Sequence, residues 1–168
     1  VDQTLDQLQT FIAANPERAF FNPPAETAAI ASSESAIGFK LPASYRAFLC
    51  RFNGGFINIY NYGPSDKYWS VKTARWNSNW LFGTNDLVEA YQRVREMTGL
   101  ERPGYIPFCH THEQESLVFL PSPDGSEPAV FDASHETGNW LELYPNFPSL
   151  LQVYVERKGN IETIASGL

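Results

Sequence analysis

Cysteine is nearly missing from this sequence: Cys50 and Cys109 are the only two in 168 residues, too few for a disulfide framework. They stand at no metal or redox spacing among apolar neighbours. Both are therefore expected to be small buried hydrophobes in a reducing compartment. Long apolar runs are missing too. None approaches the ~18 residues of a membrane-spanning helix, and no basic stretch leads into an apolar one at the start, so a cytoplasmic protein is expected. Positive charge is scarce, with 12 Lys and Arg against 19 Asp and Glu and a formal charge of −7. That argues against direct nucleic-acid binding, where affinity comes from Lys and Arg displacing counterions. An acidic surface suits a basic protein partner, whose approach it accelerates. It serves ordinary solubility equally well.

Signatures of catalysis are sparse. No G-x-S-x-G elbow occurs. Asn53-Gly54-Gly55 follows a helical pattern and precedes a strand-like one, the reverse of the order in which a phosphate loop works. Cys109-His110-x-His112-Glu113 is the one local cluster of metal-ligand types, and on a strand His110 and His112 share a side. A zinc site needs three ligands in fixed geometry, and the remaining histidine, His135, lies in a separate turn. Hydrogen-bonded histidines at a strand end are the plainer expectation, with no metal, no cofactor and no catalytic residue assigned. Acidic pairs such as Glu113 and Glu115 diagnose nothing by themselves.

The most structured stretch is Glu34 to Gly55, ESAIGFKLPASYRAFLCRFNGG. Pro42 suits the first turn of a helix, and Leu41 before it is pushed toward extended geometry. Tyr45, Phe48, Leu49 and Phe52 then lay one apolar stripe along a helical face. Asn53, Gly54 and Gly55 end the helix through left-handed geometry, and the strand-like run Phe56 to Tyr60 follows. The pattern Glu34-x-x-Ile37-Gly38-x-x-Leu41-Pro42-x-x-Tyr45-x-x-Phe48-Leu49-x-x-x-Asn53-Gly54-Gly55 resembles the signature of the SUKH superfamily, the Smi/Knr-like proteins. Gly104-Tyr-Ile-Pro-Phe108, two strands and a closing helix from Phe147 extend the resemblance. The resemblance implies a non-enzymatic immunity protein that binds a cognate toxin, often a nuclease, or, as in fungal relatives, a regulatory interaction module. The sequence departs from the family where members commonly carry a glycine and an aspartate around the next strand, reading instead Glu113-Gln-Glu-Ser-Leu-Val-Phe-Leu120.

One domain over 1–168 is expected, long enough to bury roughly two thirds of its unfolded surface. Residues 1–24 read as a helix capped by Asp2 and a stiff Phe20 to Pro24 connector. Ala25 to Ile37 reads as a helix stopped by Gly38 and paired antiparallel with the Pro42 helix. Tyr68 to Val71 reads as a short strand, and Thr84 or Asn85 caps a helix to Met97 whose Asp86, Glu89, Arg93 and Arg95 are solvated. Tyr105–Cys109, Ser116–Leu120, Ala129–Asp132 and Asn139–Leu143 read as a meander, closed by a helix over Phe147–Val155. The expected class is α+β, an antiparallel sheet of about five or six strands with helices mainly on one face.

Between Phe56 and Phe82 aromatics crowd among Asn, Ser and Gly. Phe56, Trp80 and Phe82 suit sheet packing. Tyr60, Tyr62, Trp69 and Trp76 are candidate partner anchors, because rigid rings give contact area at low entropy cost. Asp66, Glu113 and Glu115 are the candidate acidic complement to a basic cleft. A base-stacking platform fits less well, lacking a basic groove. Glu34, Gly38, Leu41, Pro42, Tyr45, Phe48, Leu49, Asn53, Gly54 and Gly55 read as scaffold, with Glu34 expected to bond backbone near the Gly54-Gly55 turn.

Overall fold

The computed structural model describes residues 1–60, 67, 69–97, 104–121, 126–133 and 140–161. Its elements are α1 (Asp2–Ala14), β1 (Ala19–Phe21), α2 (Thr27–Ile37), α3 (Ala43–Leu49), β2 (Gly55–Ile57), α4 (Val71–Trp76), β3 (Trp80–Leu81), α5 (Thr84–Met97), β4 (Ile106–His110), β5 (Ser116–Phe119), β6 (Val130–Ala133), β7 (Trp140–Tyr144) and α6 (Phe147–Glu156). The strands form one sheet in strict chain order, each antiparallel to the next. This is the expected α+β class, with seven strands among the described residues.

The added strands are β1 and β3. Ala19–Phe21, expected to begin an extended connector, pairs with β2 through Ala19↔Ile57, Phe20↔Phe56 and Phe21↔Gly55. A sheet edge is where flanking prolines are tolerated, and Pro23 and Pro24 follow after Asn22. The expected strand at Trp69 to Val71 is overturned. Ser70 is extended and its Oγ accepts the Thr73 N–H at 3.0 Å, so a side-chain cap starts α4 where β-prone residues suggested a strand. Tyr68 lies outside the described residues.

Two other expectations need correction. Val1, not Asp2, occupies the N-cap position of α1, and Asp2 sits in the first turn, where its charge complements the positive helix end. Helix α2 packs mainly against α5, with the Ser33 hydroxyl donating to the Thr84 carbonyl at 3.1 Å, while α3 packs against α6. The expected α2/α3 pair gives way because each helix turns its apolar face to a different neighbour.

Pro42 stands at the N-cap of α3, and the apolar stripe behind it fills the core. Tyr45 is fully buried, with Phe147 at 5.1 Å, Phe119 at 5.5 Å and Phe108 at 5.7 Å between ring centroids. Its hydroxyl donates to the Phe82 carbonyl at 2.6 Å. In β4 the register shifts between Pro107 and Cys109, the irregularity expected where a proline interrupts a central strand.

The turn after α3 fixes the next layer. Asn53 accepts the Thr84 N–H on Oδ1 at 2.7 Å, and its amide nitrogen donates to the Thr84 hydroxyl at 3.1 Å. The first turn of α5 is therefore capped by a side chain 31 residues upstream. Gly54, at φ +77°, lies so close to Gly83 that a Cβ would come within 2.3 Å of the Gly83 nitrogen.

Candidate functional site

Successive side chains on a strand point to opposite faces, and directly paired residues share one. The register Phe20↔Phe56↔Trp80↔His110 therefore lays four rings across β1 to β4 on one face. Ile57 turns to the other face, against Gly159 just after α6, and the Tyr154 hydroxyl accepts its N–H at 2.9 Å. Phe20 stacks on Phe56 at 5.2 Å. Over this row lies α4, bracketed by tryptophans. Trp69 meets Phe20 at 5.9 Å, while Trp76 meets Trp80 at 6.5 Å and His110 at 5.1 Å. One turn into the helix, the Arg75 guanidinium sits 4.0 Å from the centre of the Trp80 ring, a cation–π contact.

The β4–β5 turn closes one end of the row. Thr111 and Glu115 bond through their backbones at 2.8 Å, and Gln114 takes φ +69°. Glutamine here pays for left-handed backbone with roughly 1–2 kcal/mol. The Gln114 side-chain amide donates to the Trp76 carbonyl at 3.3 Å. Asn79 Oδ1 receives the His112 N–H at 3.1 Å, so α4, the segment before β3 and the acidic turn form one surface.

Of the candidate partner contacts, the structure brings the anchors Trp69 and Trp76 and the acidic Glu113 and Glu115 onto this band, all half-buried. Tyr60 is half-buried at the end of β2's extension, its N–H held by Asn58 Oδ1 at 3.1 Å. Tyr62 and Asp66 lie outside the described residues, as does His135. Arg75, Asn79 and Gln114 went unrecognised in sequence. The Ser70-x-x-Thr73 cap was the available signal for α4, and a helix there places Val71 and Arg75 on one side.

The histidine cluster divides. His110 is buried against Trp76, and desolvation lowers its pKa; His112 sits beside Asn79 and 3.9 Å from Glu113. Among the described residues no three His, Cys, Asp or Glu are grouped to hold a metal. Cys109 is fully buried, and burial pushes its thiol pKa well up, which keeps the nucleophilic thiolate out of reach. Cys50 corrects its expectation: it is exposed, because it follows the last residue of α3 rather than facing the core.

Residues 24–153 match the model of the SMI1 / KNR4 family (SUKH-1). The chain belongs to that family. None of the curated proteins compared matches it. In this SMI1/KNR4 chain the motif glutamate works elsewhere than expected. Glu34 is buried and does not reach the Gly54-Gly55 turn; its Oε1 accepts the Leu41 N–H at 3.0 Å and Arg46 at 2.7 Å, and its Oε2 accepts Lys40 at 3.0 Å. It pins the α2–α3 turn, and Asn53 holds the glycine turn instead. Burial by itself would raise the Glu34 pKa, but the Leu41 N–H and the two cations outweigh it and hold the carboxyl below its ordinary 4.5. Asp86, expected on a solvated face, is also partly buried: it accepts the Gly83 N–H at 3.0 Å, and desolvation raises its pKa.

Proposed function

We propose that this SMI1/KNR4 family chain is a non-enzymatic immunity-type protein, acting in the cytoplasm, that neutralises a cognate bacterial toxin by protein–protein contact. The observation that carries the reading is the band along α4, with half-buried Trp69 at its β1 end and half-buried Trp76 beside the acidic turn of Glu113 and Glu115 at the other. Rigid aromatics next to like-signed charge are the composition of a hot spot with an electrostatic rim. With a net charge of −7, the fitting partner is a basic toxin domain such as a nuclease, whose substrate-binding cleft must itself be positive. Trp69, Trp76, Tyr60 and Tyr62 serve as anchors, and Asp66, Glu113 and Glu115 steer.

Co-expression with the toxin encoded beside its gene should restore growth, and the purified pair should form a complex. Reversing Glu113 and Glu115 to lysine should slow association by about tenfold or more at low salt, since steering charges act on the on-rate. The urea midpoint should stay near that of the parent. Failure of the parent chain to bind or rescue against that product overturns the reading. Capture of an endogenous protein, with no toxin gene adjacent, would replace it with the regulatory role.

A further inference from the structure

Between the aromatic row and the first turn of α5 the surface opens into a groove of about 390 Å³, within the range of about 300–1,000 Å³ for small-molecule sites. Phe20, Phe56 and Trp80 make its floor, Val71 and Arg75 of α4 one wall, and Asp86 of α5 the other. Two opposite charges thus face one cavity. Among the described residues neither forms an ion pair within 4.0 Å, with the other or with anything else. Arg75 rests on the Trp80 ring, and its buried Nε–H has no acceptor among the described residues. Asp86 uses Oδ2 to hold the Gly83 N–H, and Oδ1 accepts no hydrogen bond among the described residues.

A ligand carboxylate would pair with the Arg75 guanidinium where it lines the groove, a charge with no carboxylate within 4.0 Å among the described residues. A ligand with a carboxylate alone would also meet the Asp86 charge, and an amine alone would meet Arg75, so either gains on one wall and loses on the other. A molecule carrying both charges gains on both, and an apolar substituent would cover the ring floor. We propose that this groove binds a small zwitterion with an apolar side chain, the chemistry of a free aromatic or branched α-amino acid. Its carboxylate lies on Arg75, its ammonium on Asp86 and its side chain on Phe20, Phe56 and Trp80. This goes beyond toxin binding and does not depend on it.

The test titrates the full chain with L-phenylalanine, N-acetyl-L-phenylalanine and L-phenylalaninamide, following the Trp80 indole N–H by NMR. Phenylalanine should give a saturable shift at millimolar concentration or below, with each single-charge derivative weaker by about tenfold, the size of one charge-assisted contact. Arg75→Gln should erase the disadvantage of the amide. Asp86→Asn, which keeps an oxygen for the Gly83 N–H, should erase that of the N-acetyl form. Val71→Phe, at a helix position 45 % exposed, should block the groove and abolish the phenylalanine shift, and it decides the matter if Asp86→Asn loses the fold. No saturable shift with any of the three compounds overturns the proposal. So does equal affinity for all three, or an unchanged response in Val71→Phe.

Discussion

Removing the Glu34 carboxylate should be among the most damaging single changes in this chain, and the structure says why by parts. Its side chain is 3 % exposed, while its partners Arg46 and Lys40 are 38 % and 83 % exposed. The Lys40 pair, at the surface, is worth about 0–1 kcal/mol, and the Arg46 pair, half in water, about 1 kcal/mol. The larger share is the buried Leu41 N–H, which loses its acceptor at a cost of about 1–3 kcal/mol. Glu34→Ala should therefore destabilise by about 3 kcal/mol. With a urea slope of about 2–3 kcal/mol/M for a chain of this size, the midpoint should fall by about 1 M or more. Lys40→Ala should move it by no more than about 0.5 M. Glu34→Gln should lie between, since an amide oxygen still serves Leu41. Equal effects of Glu34→Ala and Lys40→Ala, or a Glu34→Ala midpoint within experimental error of the parent, would refute the reasoning.

The pH dependence follows from the same residue. Because the folded pKa of Glu34 lies below its ordinary 4.5, the unfolded chain takes the proton first. Its contribution is present above pH 4.5 and is lost as pH falls through the folded value. Asp86, raised from 3.8, acts in the opposite sense in an overlapping window, so the parent's slope alone is uninformative. The stability difference between parent and Glu34→Gln should shrink as pH drops below 4.5, measured by urea unfolding; a constant difference would contradict the assignment. Gly55→Val would place a Cβ 2.5 Å from the Phe20 carbonyl oxygen at φ +149° and should part β1 from β2, costing about 3 kcal/mol or more. Gly54→Ala, driven against Gly83, should cost as much; a melt like the parent's in either variant would remove these glycines from the scaffold. Asn53→Ala should lose the α5 cap and about 1–2 kcal/mol, with faster amide exchange confined first to residues 84–87.

Where physics is local, the sequence was readable. The proline start, apolar stripe and glycine exit of α3 lie within one stretch, as do the turn residues that separate β4 to β7. Where a distant group decides, it was not. Glu34 bonds a backbone N–H seven residues on, and nothing in its spacing distinguishes that from the glycine turn. Phe20-Phe21 before two prolines has the composition of a connector, and only β2, 36 residues later, makes it a strand. Trp69-Ser-Val71 has strand propensity, yet one hydroxyl on the Thr73 N–H turns it into a helix start. Of the binding band, its aromatic and acidic types were legible, but the meeting of Trp76 with Gln114 depends on the β3–β4–β5 register. Arg75 and Asp86 face one groove only because β3 runs between the helices that carry them.

A sheet laid down in chain order has a consequence for its borders. The family match begins at residue 24, past β1, and the outermost strand on that side is held to β2 by three residue pairs. Cutting the chain after residue 23 would remove β1 and also α1, whose buried Leu5 and Leu8 belong to the core and which packs on α6. It would also bare the β2 backbone as a sticky rim and strip the first ring from the aromatic row, so such a fragment should both loosen where α1 packed and clump with itself.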